Sequence, residues 1–341
     1  MIDMIAARPV KGLAYSVLDL ATVTEGGSPA QTFEQSMTLA RMAEQWGYTR
    51  YWLAEHHNSP GVASSATSVL IGYIAGGTKT IRVGSGGIML PNHAPLVVAE
   101  QFGTLTSLYG NRIDLGLGRA PGTDQATARA IRGNNMEGAQ NFPYDVQALQ
   151  RYFSSDNRNS NVRAIPGEGL DIPIWILGSS LDSARVAAAM GLPYAFASHF
   201  APAYFTQAIN LYRQTFQPSR VLAKPYVMAG LNVVAANTDA EAARLATSVQ
   251  QFFLGVVTGR HRQLPPPVDV EVMDEIWDDM TEQAVRQMLA YSIVGGPDRI
   301  QQGIDRFRAS SGVDEIMVTA HIYDPAARLR SYELLAEVLN S

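Results

Sequence analysis

The sequence predicts an α/β protein whose strands close into a (β/α)8 TIM barrel. Short apolar runs with strand propensity alternate with longer runs of helical period along most of the 341 residues. Eight strand-like runs can be distinguished, which is the number that closes a parallel barrel. Each run is almost continuously apolar, as is typical of strands that are buried on both faces.

The predicted elements follow one another in the order that such a barrel requires. The strands are Leu13–Leu18, Tyr51–Ala54, Ile81–Ser85, Ile113–Gly118, Ile174–Gly178, Ala195–Ser198, Val227–Val234 and Glu315–Thr319. The helices include Thr32–Trp46, Ala66–Gly76, Leu96–Leu108, Ser183–Met190, Ala203–Thr215, Asp239–Phe253 and Pro297–Ala309. Because barrels of this class often exceed about 250 residues as one unit, we expect residues 1–341 to form a single domain.

Two stretches interrupt the alternation and predict insertions after the fourth and the seventh strand. Thr123–Arg163 is polar, and we expect it to pack beside the barrel with one or two helices. Gly255–Thr281 contains three consecutive prolines and several acidic residues. Long loops in compact domains are often functional, so this second stretch is either a lid over a site or a fixed cover of the barrel rim.

Composition excludes several classes of function. The formal net charge is −5 and no block of Lys and Arg occurs, which disfavours nucleic acid and anionic membranes as partners. The absence of cysteine excludes disulfides, thiolate metal sites and cysteine nucleophiles. No run of about 18 apolar residues is present. The N-terminal MIDMIAARPVKG lacks the pattern of a secretory signal, so we expect a cytoplasmic protein.

The motifs of several common enzyme classes are also missing. No GxGxxG motif opens the chain, no GxxxxGK[ST] loop is present and no GxSxG motif occurs. Dinucleotide-binding Rossmann folds, P-loop proteins and α/β-hydrolases are therefore disfavoured.

The sequence Glu55-His56-His57 directly follows the second predicted strand. That is the end of the barrel where enzymes of this fold keep their catalytic groups. Histidine exchanges protons near neutral pH, and adjacent residues point in opposite directions, so one histidine is expected to face the site while the other packs. Proton transfer or substrate contact and structural packing both stay open. A metal site is disfavoured, because adjacent residues rarely converge on one ion.

Glycine-rich backbone follows the third predicted strand, in the sequence Gly84-Ser85-Gly86-Gly87-Ile88-Met89-Leu90-Pro91. Glycine lets a ligand approach the main chain closely. The stretch is therefore either a flexible turn or a backbone platform beneath a planar cofactor.

Two further strand ends could bind an anion. Arg119 follows the fourth strand among glycines, where its guanidinium could grip a phosphate or form a salt bridge at the rim. Gly178-Ser179-Ser180 lies between the fifth strand and a helix. The free amides of a helix N-terminus bind anions, and a serine there also serves as an ordinary N-cap. His199, at the end of the sixth strand, either lines the pocket or packs.

In their order, these motifs make the chain resemble the bacterial luciferase-like flavin-dependent monooxygenases. The resemblance covers nearly the whole length. It rests on the sequences LAEHHN, GSGGIMLPNHAPLVVAEQ, GNRIDLGLGRAPG and IWILGSS, together with the late VGGPDRIQQGIDRF and GVDEIMV. The resemblance implies a (β/α)8 barrel with insertions and an FMN cofactor at the mouth of the barrel.

Transferred by motif, the resemblance assigns a role to each candidate residue. Arg119 would bind the FMN phosphate with the help of Gly178, Ser179 and Ser180. Gly86 and Gly87 match the pair that forms a non-proline cis peptide behind the flavin ring in bacterial luciferase. His56 matches the family histidine implicated in proton handling. The substrate pocket would be lined by Leu18, His57 and Met89.

The resemblance implies an enzyme that uses reduced FMN and O2 to oxygenate a small organic substrate. A separate flavin reductase and a homodimer are implied by what is common among relatives. The polar stretch after Arg119 and the lack of the luciferase cysteine argue against light emission and a long-chain aldehyde substrate. Three alternatives stay open: hydride transfer with a deazaflavin or FMN, flavin binding without catalysis, and a barrel lyase or hydrolase without flavin.

Overall fold

The computed structural model describes residues 13–133 and 138–341, and eight parallel strands close into a barrel surrounded by helices. The barrel strands are β1 (Ala14–Asp19), β2 (Arg50–Leu53), β3 (Arg82–Ser85), β5 (Ile113–Gly118), β6 (Ile174–Gly178), β7 (Tyr194–Phe196), β8 (Val227–Ala235) and β10 (Glu315–Thr319). Each strand pairs with the next in this order, and β10 pairs with both β8 and β1, which closes the ring. The (β/α)8 prediction is confirmed.

Two short strands lie outside the ring. β4 (Ile88–Met89) pairs with the end of β5, and β9 (Ser292–Gly295) pairs with the second half of β8. The helices are α1 (Pro29–Gln45), α2 (Thr67–Gly77), α3 (Pro95–Tyr109), α4 (Gln125–Arg132), α5 (Phe142–Phe153), α6 (Leu181–Met190), α7 (Phe205–Thr215), α8 (Asp239–Val257), α9 (Met273–Ile276), α10 (Asp279–Met288), α11 (Pro297–Ser311) and α12 (Pro325–Asn340).

Helix starts follow from local sequence. α1 begins after Ser28, whose hydroxyl accepts a hydrogen bond from the Gln31 amide at 3.3 Å while the Gln31 side chain accepts one from the Ser28 amide at 3.0 Å. Pro29 fills the first helical position, where a missing N–H costs nothing. α12 begins after Asp324, whose carboxylate accepts from the Ala327 amide at 2.7 Å. Such reciprocal bonds satisfy amides that the first turn of a helix leaves free.

Alternation along the strands divides the barrel side chains between two cores. In β8, Ala229, Leu231 and Val233 face outward and pack with the helices, whereas Met228 faces the lumen. The lumen holds a buried cluster of Leu18, Trp52, Ala54, Trp175, Ala195, Leu222, Met228 and Met317. The barrel is therefore a packed core and not a pore.

The N-terminal end of the barrel, here called the floor, is closed by an ion network. Arg50 is fully buried and donates to Asp114 at 2.8 Å and to Glu315 at 3.1 Å. Arg82 adds a second bond to Asp114 at 2.6 Å. Burial alone would raise the pKa of Asp114, but Arg82 and Arg50 outweigh burial and lower it. Tyr226 donates to Glu315 at 3.0 Å, so each carboxylate of the floor has several donors.

The predicted strands agree with the observed ones to within two residues at each end. β9 and α12 were not predicted. The stretch Thr123–Arg163 contains α4 and α5, and Gly255–Thr281 contains the end of α8, all of α9 and the start of α10. That these stretches are insertions, and that the chain forms one domain, stay predictions.

Residues 134–137 of the first stretch lie outside the described residues. So do residues 1–12, on which the predicted lack of a signal segment rests. Within residues 13–133 and 138–341, no helix combines the length and the apolar character that crossing a bilayer requires.

Candidate active and cofactor site

All sequence-predicted site residues lie at the C-terminal end of the barrel, here called the mouth. They lie on β1, on β4, in the loops after β2, β3 and β5, and in the segment that joins the end of β6 to the start of α6. In this part of the chain, the non-glycine residues with left-handed backbone are Ala21 (φ 49°) and Asn58 (φ 53°), in the loops after β1 and β2. Such conformations cost energy and are found most often at ligand sites.

Arg119 and the start of α6 lie side by side. The Nη2 atom of Arg119 is 3.6 Å from Oδ2 of Asp182, in the first turn of α6. The side chains of Arg119 and Asp182 are 44% and 59% exposed, and exposed ion pairs of this kind are weak. The salt bridge at the rim, which the sequence left as one alternative, is thus present. It leaves the guanidinium free to exchange Asp182 for a stronger anion.

The serine cap of α6 is also formed. Ser180 Oγ accepts from the Ser183 amide at 3.4 Å, and Ser183 Oγ donates to the Ser180 carbonyl at 2.8 Å. A Cβ atom on Gly178 would overlap Ser183, so only glycine lets β6 pass this close to the helix. The half-buried Ser179 lies between Gly178 and Ser180. The cap orders the turn, and the free amides of the first helical turn complete a place for an anion beside Arg119.

The glycine pair after β3 lies at the level of the mouth. The peptide bond between Gly86 and Gly87 is cis, as the resemblance implies. A Cβ atom on Gly86 would lie 2.7 Å from Leu18 Cδ1, and one on Gly87 would lie 2.8 Å from the Gly116 carbonyl oxygen. Leu18 belongs to the buried lumen cluster and therefore forms the base beneath Gly86. Neither glycine has room for a side chain on the barrel side.

Met89 packs over the end of β5. Its sulfur would lie 2.8 Å from a Cβ atom on Gly118, which faces the barrel interior by alternation with Leu117. Met89 is half-buried, and its amide donates to Glu55 Oε2 at 2.9 Å. The thioether thus covers the mouth from the side of β4 and β5.

His56 is the half-buried histidine of the loop after β2. Burial lowers its pKa, against the opposing effects of the Gly122 backbone and of the Glu55 carboxylate. His56 is therefore neutral near pH 7 and able to accept a proton. His57 is held differently, because its Nε2 donates to Glu55 Oε1 at 2.9 Å. One histidine is tied by a carboxylate and the other is not, in line with the predicted alternation. That His57 lines the pocket stays a prediction.

The central residue of this region was not predicted from the sequence. The carboxylate of Glu55, which is 1% exposed, accepts hydrogen bonds from four donors. The donors are His57 Nε2 at 2.9 Å, His93 Nε2 at 3.0 Å, Asn92 Nδ2 at 3.2 Å and the Met89 amide at 2.9 Å. Burial would raise the pKa of Glu55, but the bonds from His93 and His57 outweigh burial and lower it. Both histidines must carry their proton on Nε2 to donate to an acceptor.

Further bonds extend this Glu55 network to the loop after β5. Asn92 Nδ2 also donates to the Pro121 carbonyl at 2.9 Å, and the His57 amide donates to the Gly122 carbonyl at 3.1 Å. The network therefore joins the three loops that carry His56, Met89 and Arg119. The acid within the Glu55-His56-His57 motif was the available signal, but its partners are distant in sequence.

The sequence did not identify three more polar residues at the mouth, His199, His321 and Asn232, as site residues. His199 was left open between packing and pocket lining, and neither His321 nor Asn232 was predicted. Burial lowers the pKa of His199 to about 3 and that of His321 to about 4. The charge of Arg328 lowers the pKa of His321 further, against the opposing effect of Asp19. His321 Nδ1 bonds Thr22 Oγ1 at 3.0 Å, and its ring stacks on Phe252 at 4.8 Å.

The stretch Gly255–Thr281 packs on this mouth. The Leu264 amide donates to the Val23 carbonyl at 2.8 Å, and the Glu25 amide donates to the Leu264 carbonyl at 2.8 Å. Leu264 is buried, so the stretch covers the loop after β1. A lid movement stays a prediction. Among the described residues, no group of three or more His, Cys, Asp or Glu side chains is arranged to hold a metal ion.

The chain is similar to known proteins along nearly its whole length. The sequence model of the family described as luciferase-like monooxygenase matches residues 14–315. The chain is 56% identical over 329 residues to the uncharacterized protein YvbT of Bacillus subtilis (strain 168), covering 96% of this chain and 97% of that protein. It is 51% identical over 328 residues to a luciferase-like monooxygenase of Escherichia coli (strain K12), with 96% and 97% covered. The crystal structure of apo-MsnO8 matches with a TM-score of 0.88 at 36% identity, covering 96% of this chain and 98% of that chain.

Proposed function

The chain belongs to the luciferase-like monooxygenase family, and on this basis we propose that it is an FMN-dependent monooxygenase acting on a small organic substrate. One observation carries the proposal of FMN. Arg119 Nη2 lies 3.6 Å from the side chain of Asp182 in the first turn of α6, so an arginine and a helix N-terminus, two groups suited to one phosphate, are neighbours on the same mouth as His56 and the Gly86–Gly87 pair. An arginine beside free helix amides is a good receptor for a phosphate monoester.

The residues at the mouth fit the parts of FMN. Arg119, Ser179 and the capped turn at Ser180 would hold the phosphate. The backbone of Gly86 and Gly87, which has no side chains, would support the flat ring. Asp182 is a carboxylate at the same turn, but it is exposed and also bonded to Arg185 at 3.0 Å, so it can move away from the phosphate.

When bound, reduced FMN supplies the two electrons with which O2 places one oxygen atom on the substrate and releases the other as water. The protein then has to position this group, exclude water and manage protons. His56, kept neutral by burial, would accept and return a proton at its free ring nitrogen. Met89 and the stretch Gly255–Thr281 would exclude water from the mouth.

Besides the organic substrate and O2, we expect two protein partners, which are a flavin reductase and a second copy of this chain. We propose a separate flavin reductase, as the family resemblance implies. We also propose a homodimer. The neighbouring helices α2 and α3 expose the apolar side chains Val69, Tyr73, Val97 and Leu108, and a second copy would cover them.

The phosphate assignment is tested by titrating the protein with FMN and following flavin fluorescence. We expect binding at micromolar FMN for the unchanged protein and binding weaker by about ten-fold or more for Arg119→Ala, because a charge-assisted contact is lost. Arg185→Ala is the matched control, since it removes a neighbouring exposed arginine from the same turn. Unchanged affinity in Arg119→Ala would remove this residue from the site. A folded protein that binds no FMN would favour a barrel lyase or hydrolase.

The role of His56 is tested in the FMN-loaded protein. For His56→Ala we expect FMN affinity within about two-fold, because the proposed role is proton handling and not binding. O2 should reoxidise the bound, reduced FMN about ten-fold more slowly, since the residue that accepts and returns the proton is lost. Stopped-flow absorbance measures this rate. An unchanged rate would rule out the proposed role.

A further inference from the structure

The wall of the mouth formed by β7 and β8 contains a buried acceptor without a donor. Met228 faces the lumen, so Gly230 and Asn232, two and four residues further along β8, face inward as well. Asn232 is 2% exposed, and its Nδ2 donates to the His199 carbonyl at 2.5 Å. Since a carbonyl can only accept, the amide orientation is fixed and Oδ1 points elsewhere. This oxygen is buried and has no hydrogen-bond partner among the described residues.

His199 presents a second unpaired atom on the same wall. A Cβ atom on Gly230 would lie 2.1 Å from His199 Nδ1 and 3.0 Å from each of the two ring carbons bonded to it, so the edge of the imidazole that carries Nδ1 faces the backbone of β8, which only glycine permits. This Nδ1 is buried and also lacks a partner within residues 13–133 and 138–341. His321, in the loop after the neighbouring strand β10, is different because its Nδ1 is bonded to Thr22. The wall therefore has one satisfied and one unsatisfied imidazole.

The chemistry of this wall selects the kind of group that could satisfy it. The adjoining lumen is apolar, with Met228, Met317 and Trp175 beneath. Arg328 lies near His321 but is bonded to Asp19 at 2.8 Å. Burial keeps His199 and His321 neutral. A carboxylate would therefore meet the oxygen of Asn232 without a cation to balance it, whereas an uncharged donor would pair with it.

We propose that Asn232 Oδ1 and His199 Nδ1 form a subsite for an uncharged amide group, whose N–H donates to Asn232 and whose carbonyl accepts from His199. The identity of the ligand rests on the proposed function, which offers two sources of this group. One is the N3–H and adjacent carbonyl of the flavin ring, and the other is a primary amide in the organic substrate, which carries one N–H on the same side as its carbonyl. Both present a donor beside an acceptor, and neither carries a charge at this edge.

Experiments on the unchanged protein separate the two sources. FMN and N3-methyl-FMN, which lacks the N3–H, are titrated first. The FMN-loaded protein is then titrated with hexanamide, with methyl hexanoate, in which an ester oxygen replaces the amide nitrogen, and with hexanoate, while the bound-flavin absorbance is followed. A preference of about ten-fold for FMN over N3-methyl-FMN assigns the subsite to the flavin, and the same preference for the amide over the ester assigns it to the substrate.

Asn232→Leu identifies the residue responsible, since it keeps the volume of the side chain and removes both polar atoms. It should abolish whichever preference the unchanged protein shows. Ser198→Ala is the matched control, because Ser198 Oγ donates to the Gly230 carbonyl at 2.7 Å and its loss also removes one buried bond between the same segments. This control should keep the preference.

Two results would overturn the subsite. One is an unchanged protein that binds FMN but shows less than about two-fold preference in both titrations. The other is hexanoate binding more tightly than the amide. If the unchanged protein bound no FMN at all, the proposed function itself would fail, and this result is recognised in the first titration before any comparison of ligands.

Discussion

The carboxylates at the floor of the barrel and the polar side chains of the β7–β8 wall of its mouth differ in how fully they are hydrogen-bonded. At the floor, Arg50 and Arg82 meet Asp114 and Glu315, and both carboxylates accept from several donors. At the mouth, Asn232 Oδ1 and His199 Nδ1 are buried without a partner among the described residues. Fully hydrogen-bonded groups stabilise the folded protein by themselves. A buried group without a partner is stabilised when a bound ligand supplies the missing hydrogen bond. The comparison indicates that the floor serves stability and the mouth serves binding.

The same contrast appears in charge. The floor places full charges in the barrel and balances them in pairs, which raises the pKa of Arg50 and lowers that of Asp114. At the mouth, burial keeps His56, His199 and His321 neutral. Arg119 stays half-exposed at the rim. A ligand that replaces Asp182 at Arg119 thus breaks only an exposed ion pair.

The largest expected effect is at the floor. Asp114→Ala leaves the buried Arg50 and the half-buried Arg82 without their shared carboxylate, and we expect the free energy of unfolding to fall by about 3–5 kcal/mol. Arg119→Ala at the mouth should cost less than about 1 kcal/mol, because its pair with Asp182 is exposed. Urea unfolding followed by far-UV circular dichroism measures both. Equal losses would contradict the division between floor and mouth.

Acid should weaken the mouth before it weakens the floor. His199 and His321 have folded-state pKa values of about 3 and about 4, below the ordinary value near 6.5 of an unfolded histidine. Between these values the unfolded chain binds more protons than the folded one, so stability is lost as pH falls from about 6.5 towards 4. The slope is at most about 1.4 kcal/mol per pH unit for each histidine. The lowered pKa of Asp114 means that the floor keeps its contribution over this range.

The measurement is the free energy of unfolding at pH values from 7.5 to about 4.5. His321→Asn should reduce the slope by roughly one histidine's share. His261→Asn is the control, because this histidine is exposed on the stretch Gly255–Thr281. A slope that His321→Asn leaves unchanged would contradict the assignment of the pH dependence to the mouth.

The floor and the mouth also differ in what the sequence could predict. The eight strands are predictable because burial on both faces demands continuous apolar runs, and the strand ends then fix where His56, Gly86 and Arg119 lie. β9 was missed because Ser292–Gly295 is short and sits outside the ring. The pairing of Glu55 with His93, or of Arg50 with Glu315, depends on how distant segments meet and leaves no local pattern.

Asn232 shows the same limit at a single residue. Within the apolar run of β8, one asparagine is compatible with any satisfied buried amide. Only the position of the His199 carbonyl reveals that its Nδ2 is used and its Oδ1 is not. The sequence shows that residue 232 is an asparagine on the inward face of a strand. Which of its polar atoms has a hydrogen-bond partner is decided only in the folded state.

The smallest predicted effect concerns two carboxylates that fasten loops at opposite ends of the barrel. Glu55 joins the three loops of the mouth. Glu44, at the floor end of α1, accepts from the amides of Lys79, Thr80 and Ile81 before β3. Glutamine at either place keeps the shape but replaces one acceptor oxygen by a donor, so at least one bond of each set is lost.

Glu55→Gln should weaken FMN binding by about ten-fold, which corresponds to about 1.4 kcal/mol, because the loops that carry His56, Met89 and Arg119 lose their common anchor. Both variants should lower the melting temperature by about a few degrees. Glu44→Gln, however, should change FMN affinity by less than about two-fold. Flavin fluorescence and thermal unfolding are read on both variants. If both lowered FMN affinity equally, Glu55 would act only through general stability. If only Glu55→Gln did so, it would position the site.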